Sequence, residues 1–136
     1  MEDLSIIFPN LNEDHEIIRN LHKELTSLGA EVIVVDDGSQ NPFPGAIKHG
    51  TNFGYGSALM TGIKNATRSL ILTMDGDSQH TVLDACNLYA VWNLLKNVDL
   101  LIGARRLKYE KWYRLFGRKF LNFIASLISL VYFQDL

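Results

Sequence analysis

Five short apolar or β-branched runs, separated by stretches with helical spacing, constrain this chain more than any other feature of its sequence. Leu4-Ser5-Ile6-Ile7-Phe8 reads as a buried strand stopped by Pro9. Asn12 is a good N-cap, and Glu13, Asp14 and Glu16 suit the positive end of a helix dipole. Ile17, Ile18, Leu21, Leu25 and Leu28 then repeat at helical spacing up to Gly29, a natural residue to end a helix. Residues 31–36 form the second strand, and Ala46 to His49 a short third one. A glycine-rich turn at 52–56 opens a helix from Ser57 to Thr67. Residues 69–74 are the fourth strand. A helix over 82–96 follows, with Ala85, Leu88, Trp92 and Leu95 on one side, and 99–102 are a fifth strand. Strands alternating with helices imply right-handed βαβ units. The expected fold is an α/β sandwich with a mainly parallel central sheet, one domain over residues 1–136.

Composition narrows the function. A chain of 136 residues with 47% hydrophobic and 21% charged side chains is globular, neither disordered nor fibrous. A single cysteine, Cys86, excludes an intrachain disulfide and suits a reducing compartment. Met1-Glu2-Asp3-Leu4 lacks the basic start of a signal peptide. The net charge of −2 hides an asymmetry, because seven of the thirteen Lys and Arg residues fall within 105–119. That run is either a solvated basic helix face or a patch for phosphates, on a ligand or on a membrane. A nucleic-acid partner is not expected, since the rest of the chain is acidic and carries no nucleic-acid motif.

The polar residues that follow the strands carry the chemistry. Three expected strands end in Asp36-Asp37, Asp75-Gly76-Asp77 and Arg105-Arg106. In an open parallel sheet, ligands bind outside the carboxyl ends of the strands. Four carboxylates gathered there would repel one another unless a cation lies between them. In an extended segment Asp75 and Asp77 point to one side, Gln79 continues that side, and Gly76 allows close approach to the backbone. Hard oxygen ligands of this kind suit Mg²⁺ or Mn²⁺. The competing reading of both acidic segments is an Asx turn after a strand. Likewise, Asn52-x-Gly54-x-Gly56 is either a phosphate loop in outline or a tight βα turn.

Taken in order, Pro9-x-x-Asn12-Glu13, Val34-Val35-Asp36-Asp37-Gly38-Ser39, Asn52-Phe53-Gly54-Tyr55-Gly56-Ser57-Ala58-Leu59, Met74-Asp75-Gly76-Asp77-Ser78-Gln79-His80 and Ile102-Gly103-Ala104-Arg105 resemble the family 2 glycosyltransferases of GT-A fold. The match is nearest to the polyprenyl-phosphate (dolichyl-phosphate type) sugar transferases. The resemblance implies a GT-A-like fold and inverting transfer of a sugar from a UDP- or GDP-sugar donor to a polyprenyl phosphate. It assigns Glu13, Asp36 and Asp37 to the base and ribose, and Pro9 with them to the nucleotide-sugar site. Asp75, Gly76 and Asp77 fall at the donor pyrophosphate, Asp75, Asp77 and Gln79 at Mg²⁺ or Mn²⁺, and Arg105 at a phosphate. Asp77 and Arg105 are the expected catalytic pair. Leu11 stands where the family often has an aromatic, and Asn52 near a common lysine position.

In the family an Asp-x-x-Gly-x-Arg-like acceptor segment follows, and Asp135 resembles its start. The chain is therefore expected to be a catalytic domain cut short at its C-terminus. Residues 120–133 are apolar except for Asn122, Ser126 and Ser129, and fourteen residues are too few to span a bilayer. They are either an interfacial amphipathic helix or a helix packed on the sheet. The expected location is the cytoplasmic face of a membrane, with a membrane surface and a second copy of the chain as partners. Three alternatives stand beside this reading: a family 2 enzyme that extends a glycan, a non-catalytic nucleotide-sugar or membrane-binding fragment, and a nucleotidyltransferase. The last would need a richer Gly/Lys/Arg signature than Pro9-Asn10-Leu11-Asn12-Glu13.

Overall fold

A computed structural model describes residues 1–76, 79–95 and 98–103. The chain divides into two units, Met1–Val98 and Asp99–Leu136. The first holds β1 (Leu4–Asn10), α1 (His15–Ser27), β2 (Glu31–Asp36), β3 (Ile47–Lys48), α2 (Tyr55–Asn65), β4 (Leu70–Thr73) and α3 (Val82–Leu94). The four strands form one parallel sheet in the order β3-β2-β1-β4. The α/β class and the parallel sheet are as expected.

The pleat of β1 divides the core. Leu4, Ile6 and Phe8 point to one face, where they pack with Ile18, Leu21 and Leu25 of α1, Val34 of β2 and Ala85 of α3. Full burial of each such side chain contributes roughly 1.5–3 kcal/mol. Ser5 and Ile7 point to the other face. There a Cβ at Gly62 of α2 would overlap the Ile7 side chain, so a glycine lets the helix lie directly on the strand.

Several boundaries differ from the expected ones, each for a local reason. β1 runs through Pro9 to Asn10. The Ile7 carbonyl accepts from Met74 N on the β4 side, and Asn10 O accepts from Asp37 N on the β2 side. Alternation then puts the missing N–H of Pro9 on the β4 side, beyond the last β1–β4 pair, Ile7 with Thr73. No ladder bond is lost. The cap of α1 is Asp14, whose side chain accepts from Glu16 N, and not Asn12. Asn12 instead adopts φ 57° and spends its amide on a neighbouring loop. α3 starts at a capping box between Thr81 and Asp84. Leu95 lies past its end and is exposed, not on the packed side. The fifth strand expected at 99–102 does not form: residues 98–103 have no ladder partner among the described residues, and Leu100 and Ile102 are exposed. The segment from 105 to 133 lies outside the described residues.

Candidate functional site

The carboxyl ends of β1 and β2 are knotted together by polar side chains. Asp36, 1% exposed, is the hub. One of its oxygens accepts from Ser39 N at 2.9 Å, and the other from Asn10 Nδ2 at 2.5 Å and Phe43 N at 3.2 Å. Ser39 Oγ in turn accepts from Asn12 N at 2.8 Å, and Asn12 Oδ1 from Gln40 N at 2.9 Å. Asn10 Oδ1 accepts from Glu13 N at 3.3 Å. With its backbone left-handed, Asn12 makes two cross-links between the loops that follow β1 and β2.

Asp37, 3% exposed, binds the glycine-rich turn. Its Oδ1 accepts from Phe53 N at 3.0 Å and Oδ2 from Gly54 N at 2.8 Å. His49, at the end of β3, completes the arrangement: Nδ1 is 2.6 Å from Asp37 Oδ1, and Nε2 is 2.9 Å from Thr61 Oγ1 on α2. An ionised carboxylate only accepts, so Nδ1 carries the ring proton toward it. Between these residues Gly38, at φ +86°, admits the turn: a Cβ there would lie 2.7 Å from the backbone at Thr51 and Asn52.

Burial alone would push both carboxyls up. For Asp36 the donors at Ser39, Phe43 and Asn10 outweigh it; for Asp37 those at Phe53, His49 and Gly54 do. Both groups titrate below the usual carboxylate range. A value lower in the folded than in the unfolded state gives stability that is fully present above the unfolded value of about 3.9 and is lost as pH falls through the folded value. Urea midpoints should therefore fall steeply below about pH 4, and Asp37→Asn should flatten that fall. A wild-type midpoint unchanged from pH 5 to pH 3 would contradict the assignment.

Asp75 follows β4 and is different, because its carboxylate is partly open to solvent. Tyr55 Oη, at the first turn of α2, donates to its Oδ1 at 3.1 Å, and His80 Nε2 lies 4.0 Å from Oδ2. Burial, then the Asp75 charge and that hydrogen bond, push the Tyr55 hydroxyl above its ordinary value. Gly76 is buried, and the space a side chain would take is filled by Ile18, with Cγ1 3.1 Å from a built Cβ. Its glycine thus serves close packing on α1. Gln79 is exposed, Pro9 and Glu13 are half-buried, and no described residue donates to the Glu13 carboxylate. Asp77 and Arg105 lie outside the described residues.

The structure therefore brings Pro9, Glu13, Asp36 and Asp37 together at the ends of β1 and β2, and sets Asp75 and Gly76 after β4. Among the described residues there is no group of three or more His, Cys, Asp or Glu side chains placed to hold a metal. Asp75 supplies a partly accessible hard oxygen there, and the carboxylates and amide of Asp75, Asp77 and Gln79 have the donor chemistry that Mg²⁺ or Mn²⁺ requires. Sequence reasoning missed His49, Phe53 and Tyr55. His49 is twelve residues from both of its partners and belongs to no motif, so nothing in its spacing marks it.

The family model of glycosyl transferase family 2 matches residues 5–128. The chain belongs to that family. Its α/β layers and parallel sheet are consistent with the family's GT-A-like fold. A family 2 glycosyltransferase takes a nucleotide-sugar donor and an acceptor, and the family generally uses divalent metals. Among the described residues of this family 2 chain, no helix is long and apolar enough to cross a membrane.

Proposed function

We propose that this family 2 domain moves a hexosyl or N-acetylhexosaminyl group from a UDP- or GDP-sugar to a polyprenyl phosphate, with inversion and with Mg²⁺ or Mn²⁺. The observation that carries this reading is the cluster of Glu13, Asp36, Asp37 and Asp75 after three parallel strands, in a chain of this family. Glu13 offers its carboxylate to the base or ribose, and Pro9 bounds that end of the crevice. Asp36 and Asp37 hold the loops that line it. Asp75, Asp77 and Gln79 would hold the cation, which when bound neutralises charge on the donor diphosphate. Arg105 meets a phosphate of the leaving group. The acceptor phosphate oxygen bonds to the anomeric carbon from the side opposite the diphosphate, which departs with the electron pair. An anionic phosphate brings no proton to remove, so no general base is required.

The acceptor reading is supported by the basic run at 105–119 next to the apolar run at 120–133. Each basic side chain near an anionic surface contributes about 1 kcal/mol, which would hold the domain at the depth of a lipid phosphate on a cytoplasmic membrane face. Anionic liposomes should float the protein in a salt-sensitive way, and Leu127→Glu should abolish flotation with an unchanged thermal melt. A collapsed melt instead would make 120–133 core and favour the glycan-extending alternative.

The donor site is tested by calorimetry with UDP and GDP. Binding should tighten at least tenfold with Mn²⁺ over EDTA, on the scale of one charge-assisted contact, and Asp77→Ala should remove that gain. Equal affinity in Mn²⁺ and EDTA would overturn the metal-dependent reading.

A further inference from the structure

Three large apolar side chains stand exposed near the carboxyl ends of the strands: Leu11 at 41%, Phe53 at 64% and Tyr55 at 56%. Tyr55 is committed through its hydroxyl to Asp75, and Leu11 is not flat. Phe53 is both flat and free of a polar commitment. It is nonetheless held firmly. Its N–H donates to the buried Asp37 carboxylate, and its carbonyl accepts from Ser57 Oγ at 3.0 Å. The next N–H, of Gly54, is taken by Asp37 Oδ2 and Asn52 Oδ1. Its ring meets the His49 ring edge-on, with centroids 5.3 Å apart and planes at 64°. His49 is itself fixed between Asp37 and Thr61.

This is an unusual way to leave a phenyl ring in water. An exposed aromatic on a loose loop needs no explanation, but here a buried carboxylate, a half-buried histidine and the first turn of α2 all serve to fix its place. A rigid ring with two torsions loses little entropy when a second flat surface stacks on it. The same Asp37 is tied to Asn10 O, and Asn10 Oδ1 to Glu13 N, so the ring and Glu13, whose carboxylate has no donor among the described residues, hang from one knot. A flat face beside an acceptor is what a nucleobase needs: stacking on its ring and hydrogen bonding from its edge or from the ribose.

We propose that Phe53 is the stacking platform for the donor's nucleobase, positioned by Asp37 and His49; the proposal rests on the nucleotide-sugar reading above. It assigns to Phe53 a contact with the base and none with the phosphates.

The test compares UDP, GDP and inorganic pyrophosphate on the wild-type protein, Phe53→Ala and Phe53→Trp, all in Mn²⁺. Stacking on an aromatic side chain is worth roughly tenfold or more in affinity. Phe53→Ala should weaken UDP and GDP by about tenfold and leave pyrophosphate unchanged. Phe53→Trp should restore nucleotide affinity, and nucleotide but not pyrophosphate should quench the fluorescence it adds. An alanine variant that binds nucleotide as the wild type does would overturn the proposal. So would an equal loss of pyrophosphate, which would mean the ring only supports the loop. Thermal melting of both variants separates these outcomes from misfolding, which an exposed site should not cause. A wild type that binds neither nucleotide rejects the donor reading itself, a result distinct from an unaffected Phe53→Ala.

Discussion

Asp36→Ala is expected to lose roughly 3–5 kcal/mol of stability, from three buried donors that each cost about 1–3 kcal/mol when left unpaired. Ser39 N, Phe43 N and Asn10 Nδ2 all converge on this one carboxylate, which is buried at the end of β2. A domain with a total stability of about 5–15 kcal/mol would lose much of it, so Asp36→Ala should populate unfolded chain under mild denaturant. Asp36→Asn should fall between, since its amide keeps one acceptor but points two N–H groups at existing donors. Urea titration of the three proteins at pH 7 measures the series. An alanine variant within 1 kcal/mol of the wild type, well below the cost of even two orphaned donors, would show that this knot is not a structural hub.

Gly38→Ala should cost nearly as much, by a different route. The backbone sits at φ +86°, which alone disfavours any side chain by about 1 kcal/mol. The added Cβ would also stand 2.7 Å from Asn52 N and from Thr51 C. Those are backbone atoms and do not rotate away. The turn at 51–54 must move, and with it Phe53 N and Gly54 N leave Asp37. The expected loss is about 2–4 kcal/mol, combining strain with overpacking. Nucleotide affinity should fall along with stability, because the displaced turn carries Phe53. Denaturation and calorimetry on the same variant check both. Normal nucleotide binding in a destabilised Gly38→Ala protein would separate the turn from the ligand and count against Phe53 as a platform.

The order of elements was legible in the sequence because each carries its own period. β2 spans its β-branched run, Val32 to Val35, with one acidic residue at each end, and α1 follows the apolar repeat from Ile17 to Leu25. Ends were less legible. Pro9 reads as a stop, yet the strand continues, because whether a missing N–H matters depends on which neighbour it would have faced. Asn12 reads as a cap, yet Asp14 caps the helix while Asn12 binds a loop distant in sequence. The run at 99–102 reads as a strand, yet a strand exists only with a ladder partner, and none is found among the described residues.

The candidate site divides in the same way. Fold class and family follow from the ordered motifs, whose residues come after strand ends. So does the collection of acidic side chains at one edge of a parallel sheet, because that edge is where successive strands all terminate. The tertiary structure alone decided what each carboxylate does there. Asp36 and Asp37 are consumed by backbone and side-chain donors brought from other loops, while the Glu13 carboxylate has no donor among the described residues and Asp75 stays partly open to solvent. Spacing along the chain carries no record of such partners. Hydrogen bonds are made by whatever groups packing brings within about 3 Å, and for Asp37 those are a histidine twelve residues away and a turn sixteen residues away.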